Sequence, residues 1–190
     1  MNDVTEIVDG LKAKGIQFSD NLTEEELCRI ETIYDIKFPK SLRCFYSHGI
    51  PFAEKDNCFP CWTNYSESNI SEIKRRIQLP YDWLLKSVLR EFWIPQWGER
   101  PKEQNEIMKL FIRISEKAPR LIPIFSHRYM PQLHNIDSPP VISTVGRDTI
   151  YYGSDLQDYL YHEFEIGCRC STSENLMYIP FWSDIIEYKM

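Results

Sequence analysis

The apolar residues of this chain recur at helical spacing before Pro119, in short, strand-like runs over residues 121–153, and at helical spacing again over residues 154–165. The clearest helical segment covers residues 102–117, where four apolar residues recur at i, i+3, i+4 and i+7: Ile107, Leu110, Phe111 and Ile114. The dipeptide Ala118-Pro119 is expected to end this helix, because proline cannot continue the hydrogen-bond ladder.

Other helices are indicated by the residues at their ends. Thr23 and Glu26 have the spacing of a capping box, in which each side chain accepts a hydrogen bond from the other residue's backbone N–H. Pro39 occupies a favoured first helical position, and Gly49 favours termination of the same helix. The spacing then predicts three more helices, over residues 71–78, from about residue 82, and over residues 154–165. The first of these is expected to end at Leu79-Pro80.

Three short segments rich in β-branched residues predict strands, over residues 121–125, 140–145 and 148–153. The last two are separated by Gly146-Arg147, which predicts a hairpin. Helices followed by neighbouring antiparallel strands favour an α+β fold over a doubly wound parallel sheet. We therefore expect a single α+β domain over residues 1–190, with a central antiparallel sheet and with N-terminal and flanking helices.

Composition narrows the class of protein. The 190 residues carry a formal net charge of −6, which disfavours nucleic-acid binding and favours basic protein partners. Aromatic residues make up 14% of the chain, a content suited to contact surfaces. The sequence after Met1 lacks a secretory pattern, and no apolar run is long enough for a membrane span. We expect a cytoplasmic protein with no membrane partner; the oligomeric state is left open.

Two close cysteine pairs raise the question of a metal or redox site. Cys58 and Cys61 form a CxxC motif, whereas Cys168 and Cys170 are one residue apart. Structural zinc sites commonly use two pairs with more regular spacing, and redox CxxC motifs usually open a helix. Free thiols are therefore predicted, with no metal and no cofactor, and a metal or redox role for the pairs remains the alternative.

The sequence contains no motif typical of a catalytic site. Neither HExxH nor GxSxG occurs, and no glycine-rich phosphate loop is present. We therefore predict that the chain is not an enzyme. One alternative remains open: His127, Arg128 and Tyr129 follow a predicted strand, and with Asp148 and Tyr152 they are candidates for a cleft that binds a small ligand or hydrolyses it.

An acidic and aromatic segment over residues 148–166 is the main candidate for a contact surface. It contains five carboxylates beside four tyrosines and has no Lys or Arg. Tyrosine rings supply rigid contact area and carboxylates steer a basic partner. The predicted partner-contacting residues are Asp148, Tyr151, Tyr152, Asp155 and Asp158, together with Trp97 as an exposed aromatic. The alternative is that half of the tyrosines belong to the core.

A set of short motifs in fixed order accompanies these features. They are Ile30-Glu31, Phe38-Pro39, Phe59-Pro60 with Trp62, Phe92-Trp93, Trp97-Gly98, Arg100-Pro101, Ala118-Pro119, Leu121-Ile122-Pro123-Ile124, His127-Arg128-Tyr129-Met130-Pro131, Pro140-Val141, Ile150-Tyr151-Tyr152-Gly153, Asp155-Leu156 and Pro180-Phe181-Trp182. The order resembles that of the SUKH superfamily, which includes bacterial immunity proteins that neutralise polymorphic toxins and fungal regulators of cell-wall glucan synthesis. The resemblance covers residues 23–185, but residues 167–177 match no motif.

The resemblance implies an α+β fold without a shared set of catalytic residues. It also implies that Cys58 and Cys61 flank a structural Phe-Pro step. On this basis the expected function is that of an immunity protein, which occludes a basic toxin domain, often a nuclease, by stoichiometric binding. The alternative within the same family is a regulatory or scaffold module that binds an endogenous protein.

Overall fold

The structure, a computed structural model, describes residues 2–167 and 176–188. Its α-helices are α1 Asn2–Ala13, α2 Glu24–Tyr34, α3 Lys40–Tyr46, α4 Glu67–Arg90, α5 Gln104–Ser115, α6 Leu156–Phe164 and α7 Trp182–Glu187. Its strands are β1 Gln17–Phe18, β2 Pro51–Phe52, β3 Leu121–Phe125, β4 Arg128–Pro131, β5 Val141–Val145 and β6 Asp148–Gly153. Helices surround an antiparallel sheet, so the predicted α+β class is confirmed.

The four-stranded sheet has the order β3-β4-β5-β6, and every neighbouring pair is antiparallel. Alternate side chains of its strands enter two different core clusters. Ile122, Met130 and Val141 belong to the first cluster, with apolar residues of α1, α2, α3 and α6. Tyr129 and Ile142 belong to the second cluster, with residues of α5 and α7. The sheet therefore separates the two clusters and contributes to both.

Helix α2 begins as the sequence predicts. The Thr23 hydroxyl accepts a hydrogen bond from the Glu26 amide at 3.2 Å, and the Glu26 carboxylate accepts one from the Thr23 amide at 2.8 Å. These two bonds satisfy amide groups that have no partner within the helix. Leu27 and Ile30 then face the first core cluster. The capping box is confirmed.

Helix α4 corrects the prediction of two separate helices around Pro80. It runs without interruption for 24 residues, and Pro80 lies inside it, buried. A proline at this position removes one hydrogen bond of the ladder but does not prevent helix on both sides when packing holds each half. Ile73, before the proline, packs in the first core cluster, whereas Leu84 and Val88, after it, pack in the second.

The structure also contains several elements that the sequence did not predict. Helix α1 buries Ile7 and Leu11 in the first core cluster, and α7 buries Trp182 in the second. Strand β4 pairs with both β3 and β5, which places Arg128 opposite Ser143. Among the described residues, no helix is both long enough and apolar enough to cross a bilayer.

Candidate functional site

One face of the sheet remains partly open near the β5–β6 turn. The register pairs Arg128 with Ser143, Ser143 with Ile150, and Val145 with Asp148, so these side chains share one face. Helix α6 adds Glu163 beside them. We call this surface the hairpin face and define it by six residues: Arg128, Val145, Asp148, Ile150, Tyr152 and Glu163.

Arg128 connects the elements of the hairpin face. Its Nε lies 3.2 Å from a Glu163 carboxylate oxygen, and its Nη1 donates to the Ser143 hydroxyl at 3.0 Å. The guanidinium carbon lies 3.7 Å from the centre of the Tyr152 ring. The side chains of Arg128 and Glu163 are only 11% and 17% exposed. This mostly buried ion pair joins β4, β5, β6 and α6.

Two apolar side chains on the hairpin face are exposed to solvent. Val145 is 48% exposed and Ile150 is 47% exposed, although the other apolar residues of β5 are buried. Asp148 lies between them in sequence and is exposed as well. Exposed apolar side chains beside a polar, charged residue are typical of a protein-binding surface with an apolar centre and a polar rim.

The turn of the hairpin packs against α4. Gly146 has a φ of 65°, which a residue with a side chain rarely adopts. A Cβ at this position would lie 3.1 Å from the Ser87 hydroxyl oxygen of α4. Inside the hairpin, the hydroxyls of Thr144 and Thr149 are hydrogen-bonded at 2.8 Å, and both side chains are buried. These contacts fix the hairpin against the body of the protein.

His127 lies next to the hairpin face, in the turn before β4. Its carbonyl accepts a hydrogen bond from the Thr144 amide, and its Nδ1 lies 3.0 Å from the Ser126 hydroxyl. Burial and the nearby Arg128 lower the pKa of His127, although Glu163 and Asp148 act in the opposite direction. The neutral form of the imidazole is therefore favoured.

Tyr129 does not share this surface with His127 and Arg128. It is 1% exposed and packs in the second core cluster, on the opposite face of the sheet. Burial raises the pKa of its hydroxyl to about 12. The prediction of Tyr129 as a ligand-binding residue is therefore wrong, because alternation along β4 turns its ring away from Arg128.

The predicted contact residues separate in a similar way. Tyr151 lies on the face opposite Tyr152, and its hydroxyl contacts the Ser183 hydroxyl and donates to the Met177 carbonyl. Asp155 is the N-cap of α6, where its carboxylate accepts from the Asp158 amide at 2.8 Å. Of the five predicted residues on the acidic segment, only Asp148 and Tyr152 belong to the hairpin face.

Asp158 is a structural residue of the α6 N-terminus. It is 5% exposed, and its carboxylate accepts hydrogen bonds from the amide and the hydroxyl of Ser154. The prediction that Asp158 contacts a partner is wrong, because its carboxylate is turned into the protein to hold the entry of the helix. The sequence signal for this role was its position in the first turn after Asp155.

Trp97 is also buried, in contrast to its prediction as an exposed aromatic. It is 7% exposed, and its ring stacks on Phe181 with a centroid separation of 5.7 Å. The rings of Phe92 and Phe111 approach it edge-on. Its apolar surroundings make Trp97 part of the second core cluster, so the prediction is corrected.

The first cysteine pair lies in the loop before α4. Cys58 and Cys61 are free thiols, and Asn57 organises the loop through its side-chain oxygen, which accepts from the amides of Ala53 and Phe59. Within residues 2–167 and 176–188, no group of three or more His, Cys, Asp or Glu side chains is arranged to hold a metal ion. Cys168 and Cys170 lie outside the described residues.

Two of the concave surfaces that lie away from the hairpin face are formed between helices. A cleft of about 590 Å³ separates α2, α4 and α5, with Ile77 and Phe111 in its floor and the exposed Ile112 at its edge. A smaller recess of about 270 Å³ lies between α1, α3 and α6. Neither is lined by His127, so neither is the cleft that the sequence suggested around that residue.

Chemically, the hairpin face is suited to binding. The donors of Arg128 are directed at Glu163 and Ser143, and the exposed residues of the surface are Val145, Asp148 and Ile150. Comparisons of the chain with protein-family models, with curated proteins and with solved structures find no match. The geometry of the described residues is thus the basis for assigning a function.

Proposed function

We propose that this chain is a non-catalytic protein-binding domain, and specifically an immunity protein that neutralises a toxin by stoichiometric binding. The observation that carries the proposal is the hairpin face, where Val145 and Ile150 stay exposed beside Asp148 on a sheet whose other apolar residues are mostly buried. When a partner removes such an exposed apolar pair from water, the free energy of the complex is lowered.

Charge favours a basic partner. The chain has a net charge of −6, and the exposed Asp148 lies opposite Val145 in the hairpin. Arg128 is mostly buried against Glu163, so it contributes little positive potential at the surface, whereas Arg147 in the adjoining turn is exposed. The negative net charge of the whole chain accelerates encounter with a basic toxin domain.

Rigidity favours binding without a large rearrangement. Arg128 holds Tyr152 and Glu163 in place, and Gly146 seats the hairpin turn against α4. A surface that is already ordered loses little conformational entropy when a partner binds. Such preorganisation favours tight, stoichiometric inhibition.

The motif order that resembles the SUKH superfamily supports an immunity role, since that family includes toxin-neutralising proteins. It equally supports the fungal-type alternative, a regulatory module that binds an endogenous protein. The two proposals share the hairpin face and differ in the partner, so the identity of the bound protein separates them.

The test is co-expression with the toxin domain encoded beside this gene, followed by co-purification and measurement of the stoichiometry. The informative variant is Ile150→Gln on the hairpin face, with Ile112→Gln on α5 as the matched control, because these isoleucines are 47% and 45% exposed. We expect a 1:1 complex that Ile150→Gln weakens at least about tenfold and that Ile112→Gln leaves within about twofold.

Three results would contradict the proposal. Failure of the wild-type chain to protect cells or to co-purify with the toxin removes the immunity role. Equal effects of the two substitutions remove the hairpin face as the binding surface. Catalytic turnover of the toxin or of a metabolite by the purified chain removes stoichiometric binding as the mechanism.

A further inference from the structure

Helix α5 exposes a stripe of side chains that the hairpin face does not explain. The stripe consists of four exposed residues that recur at i, i+3, i+7 and i+11: Asn105, Met108, Ile112 and Glu116. Met108 is 37% exposed and Ile112 is 45% exposed, so the middle of the stripe is apolar. The other side of α5 packs in the second core cluster through Ile107 and Phe111. The stripe therefore faces away from the core and has its apolar side chains at its centre.

Two opposite charges flank the stripe in an order that fits a second copy of the same helix. Glu106 and Arg113 are both exposed and lie seven residues apart, which is close to two helical turns, so they share one side of α5. In a parallel pair of α5 helices, each of these residues would meet its own like charge. In an antiparallel pair, Glu106 of each copy lies opposite Arg113 of the other. The charges therefore favour the antiparallel arrangement.

We propose that this chain forms a weak homodimer in which α5 packs antiparallel against α5 of a second copy, about a two-fold axis near Leu110. Met108 of each copy contacts Ile112 of the other, and the two Glu106–Arg113 pairs flank this apolar contact. A two-fold contact of this kind uses the same patch on both copies and closes on itself. The dimer does not rest on the immunity role, because α5 packs on the side of the sheet opposite the hairpin face.

The apolar and the charged pairs require nearly the same position of the axis. The midpoint of Met108 and Ile112 is Leu110. The midpoint of Glu106 and Arg113 lies half a residue before Leu110, which is roughly 0.75 Å along the helix at a rise of about 1.5 Å per residue. One axis therefore brings the apolar side chains together and the opposite charges together.

Polar residues along the same helix are compatible with this axis. It places Asn105 of one copy near Glu116 of the other, so that the amide can donate to the carboxylate. Lys109 lies near the axis in both copies, where two ammonium groups repel each other. Each Lys109 is paired at 3.1 Å with Glu106 of its own chain, which reduces this repulsion.

The size of the contact predicts a weak dimer. Helix α5 has 12 residues and is therefore about 18 Å long. A single pair of helices of this length buries less surface than the roughly 1,200 Å² of stable interfaces. Exposed ion pairs contribute little affinity, so the apolar contact drives association while the ion pairs fix its direction. We expect a dissociation constant of about 10–100 μM.

The experiment is sedimentation velocity of the full chain without toxin, from about 5 to about 500 μM protein in about 0.15 M salt. The wild-type chain is expected to change from monomer to dimer across this range. Glu106→Arg and Arg113→Glu should each weaken the dimer at least about tenfold, because each places like charges opposite one another twice. The first substitution makes the chain less acidic and the second makes it more acidic, so a loss in both cannot result from net charge.

Exchange of the charges tests the register. The double variant Glu106→Arg/Arg113→Glu restores opposite charges at both positions and is expected to dimerise within about threefold of the wild type. An equimolar mixture of the two single variants is expected to form a heterodimer, because one chain then carries both positive charges and the other both negative ones. Neither recovery is expected for a dimer formed elsewhere on the molecule.

The apolar contact has a matched control on the hairpin face. Ile112→Gln is expected to weaken the dimer at least about fivefold, whereas Ile150→Gln should leave it within about twofold. The two side chains are 45% and 47% exposed, so the substitutions are comparable. The opposite order is expected for toxin binding, which keeps the two proposals distinguishable. Circular dichroism checks that each variant is folded.

Two results would overturn the proposal. The first is a chain that stays monomeric at about 500 μM, or a dimer that Ile150→Gln disrupts and Ile112→Gln leaves intact. The second is a failure of both the double variant and the mixture to recover the association that the single variants lose, which would exclude the antiparallel register. No toxin is present in these measurements, so the immunity proposal is tested separately.

Discussion

The guanidinium of Arg128 lies 3.7 Å above the ring of Tyr152, and the same side chain forms an ion pair with Glu163. These three residues come from β4, β6 and α6. The arrangement combines a cation–π contact with a mostly buried ion pair, so its loss should lower the free energy of unfolding.

The first prediction concerns this ion pair. Arg128→Met should lower the free energy of unfolding by about 2–4 kcal/mol, because Glu163 would be left mostly buried without its cation. Adding Glu163→Leu should restore part of the loss, since the unpaired charge is then removed. Urea unfolding measures both. The control is Arg75→Met, whose pair with Glu72 is about half exposed and should be worth less than about 1 kcal/mol; equal losses at the two sites would contradict the prediction.

The second prediction concerns acid stability. Glu31 is 3% exposed; burial raises its pKa, but hydrogen bonds from Lys37, the Phe38 amide and Arg43 outweigh burial and hold the pKa below its ordinary value. As the pH falls, the unfolded chain therefore takes up this proton first, near pH 4.3. The stabilisation is complete above that pH and is lost as the pH falls through the lower pKa of the folded state.

Glu31→Gln removes this contribution. We expect it to lower the free energy of unfolding at pH 7 by about 2–3 kcal/mol, because it weakens charge-assisted hydrogen bonds in a buried site. The difference between variant and wild type should shrink as the pH is lowered below 4.3, which urea unfolding at several pH values measures. A difference that stays constant from pH 7 to pH 3 would show that the carboxylate charge is not responsible.

The third prediction concerns Trp97. Its ring is surrounded by Phe92, Phe111 and Phe181, so Trp97→Ala should lower the free energy of unfolding by about 3–5 kcal/mol. Near-ultraviolet circular dichroism should also lose intensity. Tyr188→Ala is the comparison, because Tyr188 is 50% exposed and touches only the edge of the same aromatic group. If Trp97→Ala left stability intact and weakened partner binding, the burial argument would be wrong.

The fourth prediction concerns the speed of association with a basic partner. Asp148→Asn should slow association several-fold at low salt and much less at 0.5 M salt, because screening removes the steering effect of surface charge. Stopped-flow mixing measures the rates. Glu106→Gln on α5 serves as the control, since Glu106 is paired with Lys109 and lies on an element outside the hairpin face; a similar slowing in that variant would show that overall charge, not Asp148, sets the rate.

Local signals in the sequence were sufficient to predict where several helices and strands begin or end. Thr23 and Glu26 predict the start of α2, because a capping box depends on only four consecutive residues. The strands Leu121–Phe125 and Asp148–Gly153 have the predicted bounds; Pro119 precedes the first, and Gly146 and Gly153 lie at the two ends of the second. In each case the decisive interaction is between neighbours in the chain.

Interactions between residues that are distant in the sequence could not be predicted from such local signals. Pro80 was expected to end a helix, but packing of residues on both sides of it keeps α4 continuous. Arg128 meets Glu163, which lies 35 positions away, because of the register of β4 and the position of α6. The burial of Trp97 likewise depends on Phe181, which is distant in sequence. Half of the six residues that define the hairpin face could therefore not be predicted from the sequence, because they come together only when the strands pair.

Helix α4 has a consequence for how the protein opens. Ile73 is packed in one core cluster and Val88 in the other, so neither cluster can come apart without disturbing the same helix. Subglobal opening of one half should then be rare, and the slowest-exchanging amides on both sides of the sheet should share one opening free energy. The β5–β6 hairpin, which rests on this helix through Gly146, would remain formed for as long as the whole molecule does.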